Sequence, residues 1–170
     1  MTDEAADIIA FWREAGPKAW FAKNPAFDAE IRARFEAVHH CAARGELARW
    51  RADTQGALAL LLLLDQFPRN LWRGSAHAFA TDPLARAIAG EAVAAGHDRT
   101  AQPTLRTFFY LPFEHSENIA DQRRAIALCE ALERETGESA RWARTHHDVI
   151  ARFGRFPHRN VCLGRLSTNE

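Results

Sequence analysis

Lysine is nearly missing from this chain: Lys18 and Lys23 stand beside 20 arginines. An excess of one charge is missing too. Basic and acidic residues number 22 each, so no net field recruits nucleic acid or an anionic membrane. Cys41, Cys129 and Cys162 are odd in number and far apart, with no CxxC pair. That spacing argues against a disulfide framework or a zinc site and for reduced thiols in a cytoplasmic protein. The residues after Met1 are acidic where a secretory signal is basic, so no export signal is expected. The longest apolar run, Ala57 to Leu64, spans eight residues. A membrane helix needs roughly 20, so this run is expected to be a buried core helix. Valine (4) and tyrosine (1) are scarce beside 33 alanines. Alanine loses no side-chain entropy in a helix, whereas strands draw on β-branched and aromatic residues, so the expected class is all-α.

Chemical signatures are also absent. Neither HExxH nor the two ExxH motifs of a di-iron bundle occur, which argues against a bound metal. No G-x-S-x-G elbow, phosphate-cradling loop or dinucleotide fingerprint is present, so neither a serine nucleophile nor a nucleotide cofactor is expected. The arginine bias has two open explanations: a GC-rich genome, or planar bidentate contacts that lysine does not make.

What is present is helical periodicity with clear punctuation. At 170 residues the chain suits one core and one domain. The spacing predicts a helix from Asp3 to Glu14, stopped by Gly16-Pro17. A second follows the Asn24-Pro25 cap, with Phe27, Ile31, Phe35 and Val38 on one stripe. The leucine-rich segment Gln55 to Gln66 is apolar all round and is expected at the centre. An alanine-rich helix opens at Asp82-Pro83 and closes at Gly96, and a helix from Gln102 to Leu111 is expected to stop at Pro112. Two longer helices follow, the first capped by Ser116 and the second running from Ser139 to Phe153, before an irregular tail from about Arg155. Short connections make neighbours antiparallel, so the expected architecture is a stack of helical hairpins. Trp12, Trp20, Phe21, Trp50, Trp72 and Phe79 are read mainly as fillers of the gaps at helix ends.

One phrase occurs twice, as Asp65-Gln66-Phe67-Pro68-Arg69-Asn70 and as Gly154-Arg155-Phe156-Pro157-His158-Arg159-Asn160. Each joins an apolar anchor, a helix stop and a fixed cation, so the two loops are expected to lie together, with Arg69 and Arg159 sharing acidic partners. Asp65 falls in the last turn of the leucine helix, where backbone carbonyls already make the potential negative, and it needs a cation. The segment Tyr110 to Glu117 has the densest acid-base potential. The series His115, Ile119, Gln122, Ile126, Cys129 places His115 on the buried stripe of the long helix. Trp142, His146, Val149, Ile150 and Phe153 mark the inner face of the next helix, so His115 and His146 are expected to face each other. His39-His40 reads as a solvated face and Arg165 as a surface charge.

Taken together, the DQFPRN phrase, Ala78-Phe79-Ala80-Thr81-Asp82, the YLPFEHSE segment, Asp121-Gln122, and RFGRFPHRN followed by Leu163-Gly164-Arg165 resemble the bacterial family numbered nine hundred and twenty-four among domains of unknown function. The resemblance implies an all-α fold of the tetratricopeptide-like, right-handed superhelical type and brings no established activity.

Two functional readings follow. In the first, a small anionic or amide ligand binds a polar site in which Gln66, Arg69, Asn70, Arg155, His158, Arg159 and Asn160 hold the ligand. His115 or His146 then moves a proton, oriented by Asp65 or Glu114. In the second, a groove of the helical stack holds a protein segment and the polar cluster is only a lock of the fold.

Overall fold

The computed structural model describes residues 3–167, which are helical with no strand among them. α1 (Asp3–Trp20) is interrupted at Gly16, whose φ of 73° places it outside the helical region. The chain therefore turns at the expected break but resumes one more helical turn from Pro17. That turn stacks Trp20 on Trp12 with centroids 6.0 Å apart, and Trp20 Nε1 donates to the Trp12 carbonyl. α2 (Pro25–Ala43) is capped by Asn24, which accepts from the backbone N–H of Ala26 and Phe27.

A 3-10 turn (Ala48–Ala52) leads to Asp53, whose side chain caps α3 (Thr54–Leu61). Here Gly56 is required by close approach: a Cβ at this position would run into the Trp50 carbonyl. Every residue of α3 from Gly56 to Leu61 is buried, and the helix contacts both α1 and α5 (Asp82–Ala94), so the leucine run is the axis of the bundle.

The first Phe-Pro phrase does not stop this helix. The chain passes through one turn of π-helix (Leu62–Gln66) into α4 (Phe67–Leu71). The cause is Pro68, which has no N–H and crowds the carbonyl one turn back. Phe67 N–H bonds to Leu62 O, one residue further back than in an α-helix. Leu63 O thereby loses its α-helical donor, Pro68 has none to offer Leu64 O, and side chains from α2 and from the turn before α5 bond the two carbonyls. His39 Nδ1 donates to Leu63 O at 2.7 Å, and Thr81 Oγ1 donates to Leu64 O at 2.5 Å. His39 is 4% exposed. It belongs to the core, contrary to the solvated face expected of it, because the π turn needs its proton.

After α5, Gly96 (φ 78°) leads into α6 (His97–Thr100). The helix expected from Gln102 to Leu111 is instead a 3-10 turn (Pro103–Phe109) followed by α7 (Leu111–Glu114). Pro112 opens α7 rather than stopping a helix, because its missing N–H falls in the first turn. α8 (Ile119–Thr136) is capped by Asn118 rather than Ser116, and it pairs with α9 (Arg141–Phe153) across the turn at Gly137. Trp142, expected on the inner face of α9, is 64% exposed and lies against Arg141. Beyond Gly154 the chain is irregular apart from a 3-10 turn (Pro157–Arg159). Packing runs outward from α3 through α5 and α7 to α8 and α9, an arrangement compatible with a tetratricopeptide-like stack. No helix is long and apolar enough to cross a membrane among the described residues.

Candidate functional site

The π turn places Asp65 where an uninterrupted α-helix would not. Its carboxylate is 1% exposed and faces His115 Nδ1 at 2.8 Å, while Gln66 Nε2 donates to its other oxygen. Arg69, one turn on, lies 3.5 Å away. Burial alone would raise the pKa of Asp65, but the Arg69 charge and the bonds from His115 and Gln66 outweigh it and hold the carboxyl down at about 2. For His115, burial and the neighbouring Arg69 hold the imidazole below its ordinary 6.5, against the pull of Asp65. The pair at neutral pH is therefore a carboxylate beside a neutral ring. Nδ1 donates to Asp65, and Nε2 keeps its lone pair.

His115 is not on the long helix. It caps the C-terminus of α7, where Pro112 and the turn after Glu114 shift the helical phase assumed from the sequence. The two Phe-Pro phrases do come together, through a residue not singled out for the site. Asp82, at the start of α5, receives two bonds of 3.1 Å from Arg69 and one of 3.4 Å from Arg159 Nη1. Burial raises its pKa above the ordinary 3.8 despite these cations.

The Arg159 guanidinium is stacked between Phe79 and Phe156, with its carbon 4.5 Å from each ring centroid. Its side chain is 8% exposed. Among the described residues the bond to Asp82 is its only side-chain hydrogen bond, and Nε is buried with no partner. Burial lowers its pKa, as expected for a cation removed from water with incomplete compensation.

These groups meet at a cleft of about 250 Å3 lined by Phe79, Asp82, Arg86, His115, Arg159 and Arg165 among others. Two of the wall cations are already engaged. Arg86 bonds Ser116 Oγ and Asp121 at 3.0 and 2.9 Å, and Arg165 bonds both oxygens of Glu117 at 2.8 Å. Glu117 also accepts from the Phe156 N–H, so it clips the C-terminal segment against the start of α8. Arg165 is thus a wall of the cleft, not the free surface charge expected.

Glu114 and His146 form a second carboxylate–histidine pair at 3.1 Å, with Cys129 Sγ 3.3 Å from the other Glu114 oxygen. Burial and Glu114 push the Cys129 thiol up, which leaves it protonated and unreactive. His146 faces His115 with ring centroids 6.2 Å apart but does not line the cleft.

Of the seven expected ligand-holding residues only Arg159 lines the cleft; Gln66 and Arg69 stand behind it against Asp65 and Asp82, and the other four fall elsewhere. Asn70 points from α4 to Asp28 on α2, because the helix continues past Pro68 and turns it away. Arg155 forms no ion pair among the described residues, and His158 is exposed. Asn160 is buried against the tail, bonding Ser167. Phe79 was read as a gap filler, Asp82 as a helix opening and Ser116 as a cap, Glu117 fell within the acid-base segment without being singled out, and nothing in the spacing pointed to Arg86. Among the described residues, no three His, Cys, Asp or Glu side chains converge on a possible metal position.

Comparison with known proteins places this geometry in a family without an assigned activity. No curated protein matches the chain. A solved protein of unknown function from Agrobacterium tumefaciens is 52% identical and superposes with a TM-score of 0.92, over 97% of this chain and 92% of its own. A family model described as "Bacterial protein of unknown function (DUF924)" matches residues 8–170, and the chain belongs to that family.

Proposed function

We propose that this protein binds a small anionic ligand, a carboxylate or phosphate, in the cleft between α5, the end of α7 and the C-terminal segment. One observation carries the reading. Arg159 is buried, rigidly stacked between two rings, and engaged by a single long hydrogen bond. A lock of the fold would meet so costly a cation with a close carboxylate, as Glu117 meets Arg165 Nη1 with both oxygens at 2.8 Å. An arginine held flat with spare N–H groups presents the fork that carboxylate and phosphate oxygens match. His115 adds a neutral base beside it, suited to accepting a proton from a bound ligand.

The test is calorimetry and thermal melting with acetate, propanoate and inorganic phosphate. Binding in the parent protein and its loss in Arg159→Ala are expected. Absence of any response to the three anions, together with a large loss of stability in Arg159→Ala, would assign the cluster to the fold alone.

A further inference from the structure

The cleft offers two unsatisfied polar features of opposite kind. One is the Arg159 fork, which only donates. The other is His115 Nε2. With Nδ1 committed to the Asp65 carboxylate, Nε2 of the neutral ring only accepts. It makes no hydrogen bond among the described residues, and it is not among their buried, unpartnered atoms, so it keeps access to open space. The other acceptors in the wall are consumed, Asp82 by Arg69 and Arg159, Glu117 by Arg165, and Ser116 by Arg86, while Arg86 and Arg165 are engaged through Nη1 and add only further donors. At about 250 Å3 the space is below the ~300 Å3 where drug-sized pockets begin, a size that suits a ligand of a few carbons. Phe79, Pro83, Pro112 and Leu163 supply the apolar remainder of the wall.

We infer that the cleft selects small hydroxy acids, anions of a few carbons whose hydroxyl donates to His115 Nε2 while the charged group sits on Arg159. This rests on the anion-binding reading and narrows it. The acceptor-only nitrogen is what separates a hydroxy acid from the same acid without the hydroxyl, because an apolar substituent would leave Nε2 desolvated and unpaired.

The experiment is calorimetry of the full chain at pH 7.5 with 2-hydroxypropanoate and propanoate, which share charge and carbon count. The hydroxy acid should bind about tenfold tighter, the scale of one net hydrogen bond. His115→Phe, which keeps a flat ring and has no acceptor, should bring that ratio to about one, the ratio and not either affinity being the readout. If that variant fails to fold, the parent protein serves alone. Lowering the pH protonates His115 and turns Nε2 into a donor, so the ratio should fall. Asp65, Arg69, Asp82 and Arg159 surround His115, with His146 and His158 nearby, but their titration acts on both probes alike and leaves the ratio to His115. Equal affinities at every pH would overturn the hydroxy-acid inference and leave anion binding standing. Binding of neither probe, nor of phosphate, would overturn both.

Discussion

Arg69 and Arg159, one from each copy of the Phe-Pro phrase, close on the single carboxylate of Asp82, Arg69 through two bonds of 3.1 Å and Arg159 through one of 3.4 Å. The first phrase lies within the central helix and the second follows the last helix, so one carboxylate ties the axis of the bundle to its end. Replacing Asp82 by Asn keeps the shape and removes the charge. Two guanidiniums would then compete for the remaining Asp65, and the expected loss is about 3 kcal/mol. Urea denaturation measures it, and a loss under about 1 kcal/mol would show that Asp82 is not the junction.

The proton in the Asp65–His115 pair is assigned to the ring. NMR titration of His115 should give a pKa below 6.5 in the parent protein, the direction set by burial and Arg69. In Asp65→Asn it should fall further, because the carboxylate that favours the imidazolium is gone. A value above 6.5 in the parent would mean that the attraction of Asp65 outweighs burial, and the base would then be protonated near neutral pH.

The π turn gives a prediction about its stitching. Thr81→Val leaves the Leu64 carbonyl without its donor and should cost about 1 to 2 kcal/mol. Restoring a backbone N–H with Pro68→Ala should reduce that cost, since the new donor sits one turn from the same carbonyl. A double-mutant cycle should therefore show coupling of about 0.5 kcal/mol or more, and additivity would mean that Pro68 is not what strands Leu64 O.

Stability should depend on pH in two separated windows. His39 and His115 have folded pKa values below 6.5, with burial the largest cause in each. Below pH 6.5 the unfolded chain takes up protons that the folded chain refuses, so stability falls as pH drops toward the folded values and rises again with pH. Asp65 acts lower. Its contribution is complete above 3.8 and is lost as pH falls toward about 2. Asp82, raised above 3.8, works the other way just above that value and softens the second loss. Urea midpoints at pH 7.5, 6.0, 5.0 and 3.0 resolve the windows, and a flat profile between 7.5 and 5.0 would contradict the buried neutral state of His39.

The all-α class, the cap at Asn24, the glycine breaks and the central place of the leucine run were legible in the sequence, because each depends on neighbours within a turn or two. The pairing of the two Phe-Pro phrases was legible as well, since a repeated cation beside an apolar anchor implies a shared acid. Which acid was not. Asp82 reads along the chain as an ordinary first-turn residue of α5, and only packing brings Arg69 and Arg159 to it. Tertiary structure likewise decided the positions of His39, His115 and Asn70. A π turn shifts every later side chain by most of a helical step, and its cost is met by His39 and Thr81 from distant parts of the chain. Local spacing carries information about periodicity. It carries none about a carbonyl whose replacement donor comes from another helix, and here that replacement buries Asp65 and orients His115.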